Sequence, residues 1–579
     1  LPNPLFKLAP ILLFRQSISV ALFPKTWLAV AGSALLAVSG AALAQDGLSD
    51  PHPPPLPLAP EEKGSRPKSD ASVLPPAAIQ LDPSLQRLVS PASLGLPNKI
   101  DQVRAVALRP LSLNEVFNLA EVNNPNLKAI ASQVDQAQSL LRAQIASWYP
   151  SLAVNASSLP TYTGGNQRIT QPTTDLFGQT IRQTTYTYTD RWAMAASLTA
   201  QWNLIDPQRV PEIAAARDGF DRAKNQYLIS LRELRLRASQ AYFELQLSDE
   251  NVRIGQESVR ASLVSLRDAR ARFQAGVATK LEVLEAETQL ARDQQILTNA
   301  LAEQATARRR LASFLDLPQN ITPTASEALR PLGVWLPSLQ ESILGAYAFR
   351  EELDNVLLDI SEANSLANSA IGSVQPFLTI FSTLDGLRFD GVENVVNDLP
   401  GRSGWSVDNS VGLSARWNLF DGGAARAQYR RAKQRAEENK FRFAETRDQL
   451  RLEVEESFFQ LRQANRNIQT TSREVLSSRE SLRLARLRFQ AGVSTQREVV
   501  DNQRDLTQAE LRYARALAEY NSNLSQLRRR TGLDQIAACQ PDALPDGEPT
   551  LGDDVESVPV PPEPLLPACQ ASALPQSAS

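Results

Sequence analysis

The chain has 579 residues, 42% of them hydrophobic and 21% charged, and 60 basic side chains nearly balance 63 acidic ones. A net charge of −3 over that length gives no reason to expect a nucleic-acid partner, and one His with two Cys (Cys539 and Cys569) excludes most His/Cys metal sites and His-based catalysis, so neither metal nor cofactor is expected. Beyond the N-terminal region no run approaches the roughly 18 to 20 apolar residues of a spanning helix, which excludes a polytopic helical membrane protein but not a transmembrane β-barrel, whose strands alternate.

In chain order, Lys25 precedes an apolar run from Trp27 to Val38 and then small residues ending Ala42-Leu43-Ala44-Gln45. That order predicts a secretory signal over residues 1–44, cut after Ala44; a membrane anchor is the rival reading, and the apolar core is short for one. Proline is dense from Pro51 to Pro97 and from Pro541 to Pro575, and none occurs from Glu212 to Leu317 or from Gly401 to Gln540. The dense stretches read as a Pro-rich linker (45–108) and a Pro-rich tail (537–579), the bare ones as long helices, since an interior Pro costs about 3 kcal/mol. The two Cys lie at or in the tail, where an exported chain either pairs them or leaves free thiols.

Between the tails the sequence is duplicated, as residues 109–318 and 338–536 joined by a linker at 319–337. Ser112-Leu113-Asn114-Glu115 is echoed by Ser338-Leu339-Gln340-Glu341, and Trp148-Tyr149-Pro150-Ser151-Leu152 by Val374-Gln375-Pro376-Phe377-Leu378. Trp202-Asn203-Leu204-Ile205-Asp206 returns as Trp417-Asn418-Leu419-Phe420-Asp421, and Arg272-Phe273-Gln274-Ala275-Gly276-Val277 as Arg488-Phe489-Gln490-Ala491-Gly492-Val493. Each half is expected to run helix, strand pair, long helix, turn, helix.

From Trp192 to Leu204 the even positions are apolar and the odd ones mostly polar, and Trp405 to Leu419 repeats the pattern with one break at Asn409. Period two over about 13 residues fits the 9 to 11 that cross an outer membrane, and Trp192, Trp202, Trp405 and Trp417 at the ends of the rows match interfacial aromatic girdles. A soluble sandwich strand is the bland alternative. Shorter partners follow Pro150 and Pro376, and the stretches Thr161–Thr185 and Ser382–Gly404, rich in Gly, Thr, Asn and Asp, read as surface loops. Four strands cannot close a barrel, and an open edge is not tolerated in hydrocarbon, so the barrel must be shared between chains.

Asp206-Pro207 then supplies an N-cap and a first-turn Pro, and the helix to Phe273 is about 100 Å long at 1.5 Å per residue. Leu231, Ala238, Leu245, Val252, Val259, Leu266 and Phe273 keep a spacing of seven beside a mostly small row, Leu234, Ala241, Ser248, Gly255, Ser262 and Ala269. The second half repeats both, as Val454 to Phe489 and Leu450 to Ala485. A sustained heptad predicts coiled-coil packing; the other faces, with Arg232, Glu233, Arg235, Arg237 and Gln240, read as a solvated wall. Both long helices end at a Gly turn, Ala275-Gly276-Val277-Ala278-Thr279 and Ala491-Gly492-Val493-Ser494-Thr495.

With these anchors, residues 112–533 resemble the TolC-like outer-membrane efflux proteins: the duplication, Trp-Asn-Leu-x-Asp at the strand-to-helix junction and Arg-Phe-x-x-Gly at the tip. The resemblance implies a mainly α fold with transmembrane β-structure: a homotrimer whose chains each give four strands to a twelve-stranded barrel in outer-membrane lipid, continued as an α-helical tunnel through the periplasm. It implies no catalytic site, and a passive exit duct for efflux or type I secretion, with a periplasmic adaptor meeting the two tip turns and an inner-membrane transporter as further partner. Glu498 and Asp501, with Glu282 and Glu285 at matching first-half positions, are expected as carboxylates at the tunnel mouth, by the physics of acidic rings in cation channels; a solvated helix face is the alternative. Relatives that lock the tip with an Arg soon after the second Gly differ from this chain, which has Ser494 there and Arg497 a turn later. The rival functions are a periplasm-spanning coiled-coil scaffold without a pore and an exported enzyme, the latter without any convergent catalytic set.

Overall fold

A computed structural model describes residues 83–91, 94–104, 107–174, 178–395, 402–534 and 536–537. The predicted signal, most of the Pro-rich linker with His52, and the tail with Cys539 and Cys569 lie outside the described residues.

After a one-turn helix α1 (Ile100–Val103), the first half comprises β1 (Ala107–Leu111), α2 (Leu113–Asn123), α3 (Pro125–Ile145), β2 (Ser151–Thr174), β3 (Thr180–Ile205), α4 (Arg209–Gln274) and α5 (Lys280–Phe314). The second comprises β4 (Ile321–Ala325), β5 (Val334–Trp335), α6 (Leu339–Phe349), α7 (Glu351–Gly372), β6 (Phe377–Val395), β7 (Arg402–Arg416), α8 (Ala424–Gln490), α9 (Gln496–Thr531) and β8 (Ile536–Ala537). The expected order holds in each half, with the leading helix split in two. The duplicated Ser-Leu-x-Glu is a capping box in both copies: Ser112 N donates to Glu115 Oε2 at 2.7 Å and Ser338 N to Glu341 Oε2 at 2.7 Å, each Glu N–H returning to the Ser Oγ.

The strands form one antiparallel sheet in the order β2-β3-β6-β7, so the two hairpins join through β3 and β6, and β2 and β7 are its edges. The stretches read as loops are mostly strand: β2 and β3 pair without a break from Thr161↔Ala193 out to Thr174↔Thr180, and β6 reaches Val395. Their Thr and Tyr residues favour a pleated surface, and cross-strand pairing overrides the turn signal of scattered Gly and Asn. Two boundaries also shift. β7 ends at Arg416, leaving Trp417 and Leu419 just past it, and α4 starts at Arg209, because Asp206 Oδ1 accepts from Gln208 N at 3.1 Å and closes a turn first.

The long helices have 66 and 67 residues. Both heptad rows are largely buried, Leu231, Ala238, Leu245, Val252 and Leu266 in α4 and Val454, Leu461, Ile468, Val475 and Leu482 in α8, where α5 and α9 fold back against them. Core clusters at mid-length join Leu111, Val116 and Leu119 to Leu245, Leu311 and Leu315, and Trp335 and Ala346 to Ile468, Leu524 and Leu527.

The 319–337 segment, expected to be a linker, instead contributes β4, parallel to β1, and β5, antiparallel to β8. The end of the Pro-rich linker is also structural: Leu85 and Leu88 are buried in the first cluster, and Asn123 holds that segment, donating to Leu88 O at 2.7 Å and accepting from Ser90 N at 3.0 Å. Short apolar pieces between prolines carry no period, so their burial is decided by the helices they meet.

Candidate functional site

Three features single out the sheet, the middle of the helices and the tip. On the sheet, the apolar parity of β3 continues in part through its neighbours, with Val154 opposite Leu198, Leu152 opposite Ala200, Trp202 opposite Ile380 and Ile380 opposite Leu413, while Ser382, Arg388, Asp390 and Asn409 interrupt the same face. Trp192, Met194, Trp202, Val154, Trp405, Val411 and Leu413 are exposed on this face. Ten residues from Trp192 to Trp202 span about 33 Å along a strand, or about 25 Å when tilted as in a barrel. At one end Tyr162 and Trp192 pack with ring centroids 5.1 Å apart. At the other, the duplicated Trp residues make the same anchor, Trp202 Nε1 donating to Trp148 O at 2.9 Å and Trp417 Nε1 to Val374 O at 3.1 Å. Trp417 therefore makes the same anchor as Trp202 although it lies just past the strand.

The opposite face is largely polar, interrupted on β6 by Phe381, Leu387 and Phe389, and carries a row not evident from the sequence: Asn155, Ser197, Asp385 and Asp408 lie in register across all four strands. Asp385 fell in a stretch read as a loop, so its pairing with Asp408 was not visible. Two carboxylates directly opposite destabilise a dry sheet; water or cations against that face relieve the cost.

At mid-length, faces expected to be solvated hold buried ion pairs. Arg232 is 8% exposed and reaches Glu351 at 2.9 Å, and Arg235 reaches Glu121 at 2.5 Å. Arg350 bonds Glu352 at 2.7 Å and Glu453 at 2.6 Å, while Arg529 reaches Glu352 at 2.9 Å. Burial raises the Glu352 carboxyl, but the bond and charge of Arg350, with Arg529 beside it, outweigh burial and hold it at about 2. Nearer the sheet, Asp218 is pushed up to about 6, chiefly by desolvation, with Glu362 and Asp221 adding like charge.

At the tip both Gly turns adopt the same Schellman geometry: Gly276 and Gly492 have φ of 77° and 74°, Val277 N donates to Arg272 O and Val493 N to Arg488 O, each at 3.0 Å. Ala275 and Ala491 are the C-caps, Val277 and Val493 are 67% exposed, and Thr279 caps α5 by accepting from Glu282 N, while Thr495 takes the same N-cap position in α9 without a side-chain cap bond. The structure joins the turns across the two halves: the Arg272 guanidinium lies 4.2 Å from the Phe489 ring centroid and donates to the Phe489 carbonyl at 3.2 Å. The predicted carboxylates have local partners. Glu282 closes a capping box with Thr279, Glu498 accepts from Arg488 at 3.0 Å, and Asp501 lies 3.4 Å from Arg504 and 3.9 Å from Arg497; Glu285 is half-buried on the next turn. Among the described residues no group of His, Cys, Asp and Glu could hold a metal ion, and no helix is long and apolar enough to cross a membrane.

No curated protein matches the chain significantly by sequence. Its fold is similar to solved outer-membrane channels: CusC (18% identity, 79% of this chain and 99% of that one, TM-score 0.57), CmeC of Campylobacter jejuni (15%, 77% and 96%, 0.55) and MtrE of Neisseria gonorrhoeae (17%, 81% and 100%, 0.53). The sequence itself matches the outer membrane efflux protein family over residues 116–316 and 382–533, more than half the chain. Duplicated hairpins with an apolar, Trp-flanked face, continued by paired long helices, are thus the plan of a known family: the chain belongs to the outer membrane efflux proteins, an efflux channel of the outer membrane that extends into the periplasm.

Proposed function

We propose that three copies close a twelve-stranded barrel by pairing the free edge of β7 with β2 of the next copy, and that α4, α5, α8 and α9 of each copy continue it as a helical tunnel. The observation that carries this reading is the four-stranded sheet with two unpaired edges and one apolar face, since open backbone donors and acceptors are too costly in hydrocarbon to remain unpaired. The duct is passive and transport energy comes from an inner-membrane transporter, reached through a periplasmic adaptor that meets Ala275–Thr279 and Ala491–Thr495, where exposed Val277 and Val493 offer apolar contacts. Trp192, Trp202, Trp405 and Trp417 sit at the membrane interfaces.

The test is heat-modifiable migration of detergent-extracted protein together with conductance in planar bilayers. A trimer with ohmic, single-channel steps is expected; a non-conducting oligomer supports the scaffold reading instead. The proposed acidic mouth has its own readout: Glu498→Ala with Asp501→Ala is expected to weaken block by divalent cations several-fold, and unchanged block removes these residues from the lumen.

A further inference from the structure

The contact between the two tip turns is made once within the chain, and the duplication leaves a second copy of each participant outside any such cross-half contact. Arg272 stacks on Phe489, and seven residues away on each side Gln496 Nε2 donates to Ser265 Oγ at 2.5 Å, with Gln496 only 1% exposed. Each of these four has a counterpart 216 residues away: Arg488, Phe273, Lys280 and Ser481. Phe273 is 46% exposed, Ser481 is exposed, and the Arg488 side chain is 58% exposed. An aromatic ring and a guanidinium are thus kept in both halves but used together in only one junction. Within the chain α4 packs against α9, and the end of α8 meets α4 only at the tip; in a closed ring of copies the corresponding junction sets α8 against α5 of the adjoining copy, with the end of α4 meeting α8 at the tip.

We propose that Arg488 stacks on Phe273 of the partner subunit, and that Lys280 hydrogen-bonds Ser481 of the partner subunit, so that the tip is ringed by alternating contacts within and between copies. This rests on the closed-ring reading above. Glu498 does not compete with it: a guanidinium bonds a carboxylate in its plane and stacks through its face, so the 3.0 Å bond to Glu498 positions Arg488 for stacking. The within-chain junction is also held by α4–α9 contacts such as Ser258 Oγ to Thr507 Oγ1 at 3.0 Å. The junction between copies has no chain connection to restore it, so it is the seam along which the tip opens, and the adaptor acts on it by parting Arg488 from the ring.

The test uses the full chain carrying Cys539→Ser and Cys569→Ser. With Phe273→Cys and Arg488→Cys added, a short bis-maleimide, which adds one Cys thiol at each end, is expected to give covalent dimers and trimers on a denaturing gel, whereas Arg272→Cys with Phe489→Cys gives internally linked monomers. Native mass spectrometry of the same samples separates the two layers of the argument: loss of the trimer overturns the ring and this inference with it, while an intact trimer yielding only monomer bands overturns this inference alone. In planar bilayers Arg488→Ala is expected to raise conductance severalfold and Arg272→Ala less; equal effects overturn the assignment of the seam.

Discussion

Glu352 and Asp218 are carboxylates displaced in opposite directions by their surroundings. Glu352, held at about 2 by Arg350 and Arg529 despite burial, has a folded pKa below its unfolded value near 4.5, so its contribution is complete above that range and is lost as pH falls toward 2. Glu352→Gln leaves two arginines short of a buried partner and is expected to cost on the order of 3 kcal/mol at pH 7; thermal melts should show the gap from the parent shrinking below about pH 4. Asp218 has the opposite sign. Its folded value of about 6 lies above the ordinary 3.8, so the folded state prefers the protonated acid and loses stability as pH rises between those values. Asp218→Asn should stabilise the fold at pH 8 by on the order of 1 kcal/mol after solvent screening, seen as a higher melting temperature, and leave it unchanged at pH 4. Neither behaviour was legible in the sequence. Arg232 and Arg235 read as members of a solvated face because the partners that bury them, Glu351 and Glu121, come from helices over a hundred residues away.

The long helices were the most legible elements, since a spacing of seven held across six repeats needs only local information, and the burial of Leu245, Val252, Val454 and Ile468 follows it. Ile468→Ala removes a fully buried side chain between α8 and α9 and is expected to cost roughly 2 to 5 kcal/mol. Gly492→Ala is a contrasting case: an added Cβ meets nothing within 4 Å, but φ is 74°, so only backbone strain, about 1 kcal/mol, is expected. Melts that ranked the Gly variant as the more damaging would mean that the turn carries packing absent from this chain alone. Strands were legible where they alternate, from Trp192 to Leu204, and illegible from Thr161 to Thr185, where both faces are polar and nothing in the sequence distinguishes a long ribbon from a loop.

For the whole molecule, the alternating rows make a prediction that a soluble sandwich does not share. Val154, 74% exposed and opposite Leu198, is proposed to face lipid; Thr199, on the other parity, is proposed to face the lumen. Val154→Arg is expected to destabilise the assembled barrel by about 2 to 4 kcal/mol and Thr199→Arg much less; folding titrations into lipid vesicles measure both, and equal costs would count against the barrel. As a member of a channel family the protein is not an enzyme, in keeping with a sequence that offers no convergent catalytic set. By itself the sequence determined the duplication, which shows when the two halves are compared residue by residue, and the sites of the Gly turns, the heptad seams and the parity of the central strands, because each of these depends on residues at most a few turns apart. The tertiary structure decided which hairpins adjoin, that 319–337 joins two small sheets instead of hanging as a linker, that Asp385 meets Asp408, and that Arg272 of one half clasps Phe489 of the other. Those are long-range pairings, whose register is set by packing and cross-strand contacts that no local period records.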